Sequence, residues 1–214
     1  MADNTLTEFQ RAVLELFFTL PEAEGFVLAG GAGLIATGLS TRPTLDLDFF
    51  GSDPAAGITP AANALEATCS GRGWSVERIR DSATFRRLVL RRNHEELLVD
   101  LAIDSPPLGA PTLTSFGPTY PVEELAARKV LALFDRAEAR DFADTHSLAA
   151  HFDLDDLADL ARQLDGGFTN ELLAESLASH QRFSDDDFTA LGTNPDQLRS
   201  FIEQWRIRLL DSRE

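Results

Sequence analysis

The chain has 214 residues, 43% of them apolar and 25% charged, which suits one or two folded domains around a hydrophobic core. Its 35 acidic against 19 basic side chains leave a net charge of -16, which excludes broad, non-specific nucleic-acid binding. A single cysteine, Cys69, excludes an internal disulfide framework; with no basic-then-apolar opening and no apolar run of membrane length, a cytoplasmic protein without membrane contact is expected.

In chain order, residues 5–20 carry apolar side chains at Leu6, Phe9, Val13, Leu16, Phe17 and Leu20, a helical spacing. Asn4 or Thr5 would cap this helix and Pro21 would end it. Residues 26–29 read as an apolar strand running into Gly30-Gly31, and 32–39 as a short helix. After Arg42-Pro43 the chain is extended again over 45–50. Alternation puts Asp46 and Asp48 on one face of that strand, with Leu45, Leu47 and Phe49 on the other. A loop over 51–57 precedes a helix over 58–70, then strands over 74–80, 85–91 and 96–103, the last two joined by a turn at Arg92-Asn93-His94-Glu95. Residues 106–121, rich in proline, glycine and threonine, read as a connection. From 122 onward the pattern is helical, with helices expected at about 122–135, 138–151, 154–164, 168–182, 184–190 and 195–211. Three parts follow: an α/β domain over 1–105, the connection over 106–121, and a helical domain over 122–214 that contributes to the active site.

The charge is uneven. Thirteen acids between Asp141 and Asp196 face only Arg162 and Arg182, whereas seven arginines crowd between Arg72 and Arg92. Any RNA would be expected on the arginine-rich side.

Two carboxylates held together on a half-buried strand repel, and a divalent cation removes the conflict. Mg²⁺, or Mn²⁺ in its place, binds through one or two carboxylates plus substrate phosphates. The glycine pair supplies the complement, because a backbone without Cβ lets a triphosphate approach closely and the amides opening the next helix favour anions. Together these features describe a site for a metal-bound NTP. Taken singly, Asp-x-Asp also fits a solvated edge, and Gly-Gly a tight turn. The run from Gly31 to Ala36 matches a dinucleotide fingerprint, but the acids stand at the start of the following strand rather than its end. The run from Gly33 to Ser40 has P-loop spacing with Leu39 where lysine is required. Asp100, in the apolar run Leu98-Val99-Asp100-Leu101, is a candidate third metal ligand of a two-metal clamp, or a strand-end acid reaching solvent. Asp104, before Pro106-Pro107, fits a turn.

Lys129 is the one lysine beside eighteen arginines. A compact ammonium on a flexible stem can contact phosphate as a point charge, although an exposed helix lysine is the plain alternative. Gly30-Gly31, the run Arg42-Pro43-Thr44-Leu45-Asp46-Leu47-Asp48, the helix Lys129-x-x-Ala132-Leu133-x-x-Arg136, and Arg140-Asp141-x-x-Asp144 resemble, in order, four motifs of the AbiEii/AbiGii-type nucleotidyltransferase toxins, a group that includes MenT-like toxins of the polymerase-β-like nucleotidyltransferase superfamily. The resemblance spans about residues 26–148. It implies an α+β fold, a mixed sheet with flanking helices, followed by an all-helical C-terminal part. It also implies a toxin that moves a nucleotide from an NTP to an RNA, with a tRNA 3′ end as acceptor, and a cognate antitoxin protein as partner. Asp46 and Asp48 become metal ligands, and Lys129 and Asp141 essential residues. Gly30, Gly31, Arg42, Thr44 and Lys129 become nucleotide-binding. Thr44 becomes a site where phosphorylation would place negative charge at the triphosphate position. Asp141 could orient Lys129, act as a base or assist the metal; Arg42 could contact phosphate or pin its loop; Asp144 could be structural. The strong acidity departs from what a tRNA-binding protein needs. It leaves open a small-molecule nucleotidyltransferase acting on a cationic acceptor such as an aminoglycoside, or a catalytically inactive binding module of the same fold.

Overall fold

A computed structural model describes residues 6–54 and 57–211. The chain divides into two units, Met1–Pro121 and Val122–Glu214. In the first, helix α1 (Glu8–Phe18) starts where Thr7 and Gln10 form a reciprocal cap. The Gln10 amide N–H donates to Thr7 Oγ1 at 3.1 Å and the Thr7 amide to Gln10 Oε1 at 2.8 Å. This capping box satisfies two orphan donors at once and sets the helix start later than the apolar spacing suggests. Asn4 and Thr5, the caps expected from sequence, lie outside the described residues.

Seven strands follow: β1 (Phe26–Ala29), β2 (Asp46–Gly51), β3 (Ser75–Asp81), β4 (Phe85–Arg92), β5 (Glu95–Ile103), β6 (Thr112–Thr114) and β7 (Gly117–Thr119). They form one mixed sheet in the order β3-β4-β5-β2-β1-β7-β6. The pairs β2–β5 and β1–β7 are parallel and the others antiparallel. Helix α2 (Gly30–Ala36) lies between β1 and β2 in sequence, and α3 (Thr59–Gly71) precedes β3. One face of the sheet is apolar: Leu47, Phe49, Leu88, Leu90, Val99 and Leu101 share a buried core with Val13 and Phe17 of α1 and Ala62, Leu65 and Cys69 of α3. Phe17 stacks on Phe49 with ring centroids 3.8 Å apart, fixing α1 over β2. Burial pushes the Cys69 thiol up to about 11.

Two expectations change. Leu45 does not share the buried face with Leu47 and Phe49: β2 begins at Asp46, and Leu45 in the preceding loop is 85% exposed. Residues 106–121 are not a bare connection, since β6 and β7 make a hairpin that extends the sheet. Three-residue strands are too short to show alternation. The Thr119 hydroxyl secures the last of them by donating to the Leu28 carbonyl at 2.7 Å. Gly117, at φ +124°, sits where a Cβ would run into the Phe18 ring.

The second unit is helical: α4 (Val122–Asp135), α5 (Ala139–Leu148), α6 (Leu154–Leu164), α7 (Asn170–Ala178), α8 (Asp185–Thr189) and α9 (Pro195–Asp211). The helix expected over 168–182 starts at a Thr169 cap and tightens into a 3-10 turn over Ser179–Arg182. Among the described residues, no helix is long and apolar enough to cross a membrane. Because Phe49 carries the stack that seats α1, Phe49→Ala should destabilise the first unit by about 3–5 kcal/mol, read as a lower urea midpoint.

Candidate functional site

Strand β1 passes into α2 at Gly30 without a loop, and Gly30 adopts φ +59°. A Cβ on Gly30 would collide with the Asp48 carboxylate, and one on Gly31 would lie 2.7 Å from Thr44 Oγ1. The glycine pair therefore gives room to the two side chains that approach it from the β2 side. The Thr44 hydroxyl donates to Asp46 Oδ1 at 2.8 Å. Buried Gln10 of α1 donates from Nε2 to the Thr44 carbonyl at 2.8 Å. Arg42 lies in the loop before β2, where its amide donates to Ser40 Oγ at 3.1 Å and its guanidinium reaches the Pro43 carbonyl at 3.4 Å. Sequence reasoning did not single out Gln10, whose only local trace is the Thr-x-x-Gln spacing of the cap.

The register brings a third carboxylate alongside. Asp48 is opposite Ala29 on β1 and Asp100 on β5, and Asp100 is opposite Arg87 on β4. In-register residues of neighbouring strands share a face, so Arg87, Asp100 and Asp48 project from the side away from the apolar core, and Asp46 with them. Asp100 is buried, and both of its oxygens accept from Arg87, Oδ1 from Nε at 2.7 Å and Oδ2 from Nη2 at 2.6 Å. Hydrogen bonding to Asp100 holds the Arg87 guanidinium above its usual value despite partial desolvation, and the charges of Asp100, Asp46 and Asp48 add to this. Among the described residues, no three His, Cys, Asp or Glu side chains stand together in a way that could hold a metal ion. The sheet offers Asp46 and Asp48 as a hard-oxygen pair on one face, and the missing Cβ at Gly30 leaves space for Asp48. That donor set fits Mg²⁺ completed by substrate phosphates. Arg87 escaped the sequence reading; the available signal was the adjacent Arg86-Arg87 pair, which alternation must send to opposite faces.

In the helical unit, Lys129 of α4 is buried, and its Nζ lies 3.0 Å from Asp144 Oδ2 on α5. Asp141 is one helical turn earlier and has different partners. Arg136 donates to it twice, from Nη2 to Oδ1 at 2.8 Å and from Nε to Oδ2 at 2.9 Å, and the Glu138 amide donates at 3.1 Å. Burial pushes the Asp141 carboxyl up. The Arg136 hydrogen bonds and charge, the Lys129 charge and the Glu138 amide outweigh it, so the group sits below the usual carboxylate value. The direct partner of the lone lysine is thus Asp144, the residue whose role the spacing left open.

The arginine-rich stretch is largely neutralised in place. Arg78 pairs with Glu66, Arg86 with Asp81, Arg91 with Glu77 and Glu96, and Arg92 with Glu95. Arg72 and Arg80 lie over the rings of Trp74 and Phe85 at 5.6 and 5.0 Å. The expected basic face for RNA is a lattice of paired charges on the outer strands.

A family profile described as "Nucleotidyl transferase AbiEii toxin, Type IV TA system" matches residues 12–211. No curated protein sequence matches the chain. Among solved structures, MenT4, a nucleotidyltransferase toxin of Mycobacterium tuberculosis H37Rv, is similar at 19% identity and a TM-score of 0.60, over 96% of this chain and 90% of that one. JHP933 from Helicobacter pylori is similar at 20% identity and a TM-score of 0.56, over 99% of this chain and 95% of that one. At these identities the two structures establish a shared fold.

Two outcomes are expected. Gly38, also left-handed at φ +76° but with open space around it, should tolerate alanine at a cost of about 1–2 kcal/mol. Gly30→Ala should cost about 1–3 kcal/mol more through its collision with Asp48, as urea unfolding of the pair will measure. Asp141→Asn should cost about 1–3 kcal/mol at pH 7. Because the folded carboxyl lies below its unfolded value of about 3.9, its stabilisation is complete well above that pH and fades as pH falls through the folded value. The gap between Asp141→Asn and the unchanged chain should accordingly narrow in unfolding curves taken at successively lower pH.

Proposed function

The chain belongs to the AbiEii family of nucleotidyl transferase toxins, and from that premise we propose that it transfers a nucleotide from an NTP to an RNA acceptor, the 3′ end of a tRNA, and so blocks translation in the cytoplasm. The observation that carries this reading is Asp48 packed against Gly30, which has no Cβ to obstruct it, with Asp46 on the same strand face and held by Thr44. Asp46 and Asp48 would hold Mg²⁺ or Mn²⁺, which when bound supplies charge neutralisation at the phosphates.

The chain's own residues do the rest by positioning and charge. Thr44 fixes one Asp46 oxygen by donating to it, and Gln10 fixes Thr44 through its carbonyl. Gly30 and Gly31 contribute to nucleotide binding by giving room to Asp48 and Thr44. The acceptor hydroxyl attacks the α-phosphorus, the new P–O bond forms as the bond to the bridging oxygen breaks, pyrophosphate departs, and the hydroxyl proton passes to solvent. Lys129, kept by Asp144 in an ion pair, is assigned a nucleotide-binding role as a point charge, and so is Arg42. Asp141 accepts from three N–H groups and lies below the usual carboxylate range, which suits a residue that locks the α4–α5 corner rather than a base. Asp100 is a third carboxylate beside Asp48.

The antitoxin partner of such a toxin could act through Thr44. A phosphate on its hydroxyl would replace a donor to Asp46 with two negative charges. Thr44 is only 8% exposed, so the loop carrying it must open for the modification.

The acidity of the chain and its internally paired arginines favour a second reading, a cationic small acceptor such as an aminoglycoside. One experiment separates the two: labelled NTPs and Mg²⁺ with total RNA in one arm and aminoglycosides in the other. A labelled tRNA-sized band is expected. Asp46→Ala, Asp48→Ala and Lys129→Ala should each reduce it at least about 100-fold. Thr44→Glu should be as inactive as these and Thr44→Ser close to the unchanged protein. Equal labelling by Asp46→Ala would overturn the mechanism, and label only on the small acceptor would select the second reading.

A further inference from the structure

One rung of the sheet runs through five strands: Arg80 on β3, Arg87 on β4, Asp100 on β5, Asp48 on β2 and Ala29 on β1. Arg87 is held on this rung from several sides. Asp100 takes two of its N–H groups, and the Phe85 ring lies 5.7 Å from its Cζ, with Arg80 over the same ring. Asp100 has no oxygen outside this bidentate pair, and its side chain is 7% exposed.

In a two-metal clamp the ions stand about 3.5–4 Å apart and share carboxylates. A second ion here would have to share an Asp100 oxygen with Arg87 and sit against its guanidinium in a half-buried setting, where like charges repel strongly. Resting on the reading that Asp46 and Asp48 hold the metal, we infer that Arg87 stands in the place of a second metal ion, so that the site takes one divalent cation. Asp100 is then a positioning residue that aims the guanidinium at the Asp46–Asp48 pair. The charges agree: Asp46 and Asp48 balance one divalent ion, and Arg87 balances Asp100. A fixed cation also needs no recruitment from solution, unlike a second ion that binds only when the nucleotide does.

The test counts ions rather than turnover. The full chain is mixed with an equal amount of an NTP analogue whose α–β bridge is a methylene group, and Mn²⁺ is titrated in while the free-ion electron paramagnetic resonance signal is followed. One bound Mn²⁺ per chain–nucleotide complex is expected, rising to two in Arg87→Ala, with the broadening that neighbouring Mn²⁺ ions impose on each other. Arg87→Ala combined with Asp100→Asn should return to one, and Arg87→Lys should stay at one. Two ions in the unchanged protein, or one in a folded Arg87→Ala, would overturn the inference and leave nucleotidyl transfer standing. Should Arg87→Ala fail to fold by circular dichroism, the count in the unchanged protein decides alone. A count of zero there, unaltered by Asp46→Asn, would remove the metal reading underneath it as well.

Discussion

Like charges crowded on one face of a sheet repel, and the polar side of the first unit is built to make that crowding tolerable. Asp46, Asp48 and Asp100 share one face of the sheet because strand pairing puts them there, not because they attract. Each is then accommodated differently. Asp46 accepts from Thr44 and Asp100 is clasped by Arg87, while Asp48 occupies the space left by the side chain Gly30 lacks. The opposite, apolar face anchors the arrangement, since Leu47 and Phe49 of the same strand are fully buried in the core shared with α1. A register slip of one residue would put carboxylates in the core and leucine at the surface, so hydrophobic burial itself fixes where the acids point.

Much of this was legible in the residues, for a physical reason. Alternation along β2 is a local property, so the shared face of Asp46 and Asp48 followed from their spacing. The helical unit has strong 3.6-residue patterning, and the bounds of α4, α6 and α9 followed from it closely. What escaped depends on contacts between segments distant in the chain. The pairing of Arg87 with Asp100 is set by the register of β4 on β5, and the Gln10–Thr44 bond spans 34 residues. The β6–β7 hairpin is too short for periodicity to reveal, and its proline and glycine argue for a loop when read alone. Leu45 failed for the opposite reason, because alternation was extended one residue beyond the strand.

The helical unit shows how composition and placement inform each other. The lone lysine of an arginine-rich chain is buried against Asp144, so its ammonium is held in a defined place rather than left in solvent. Asp141 performs the matching task at the end of α4, tying Arg136 to the first turn of α5. Two adjacent turns of α5 thereby hold Lys129 of α4 and Arg136 just beyond its end at set positions. The net charge also acquires a simple meaning. Most arginines of the outer strands are consumed by neighbouring acids, so the uncompensated negative charge belongs to the remaining surface.

The placement of Cys69 has a practical corollary. Its thiol is sealed between α3 and the apolar face and is held almost wholly protonated at neutral pH. Alkylating reagents attack the thiolate, so modification must wait until α3 lifts from the sheet. The chain therefore carries its own clock for that motion: the alkylation rate of a single sulfur reports how often the floor beneath the acidic strand comes open.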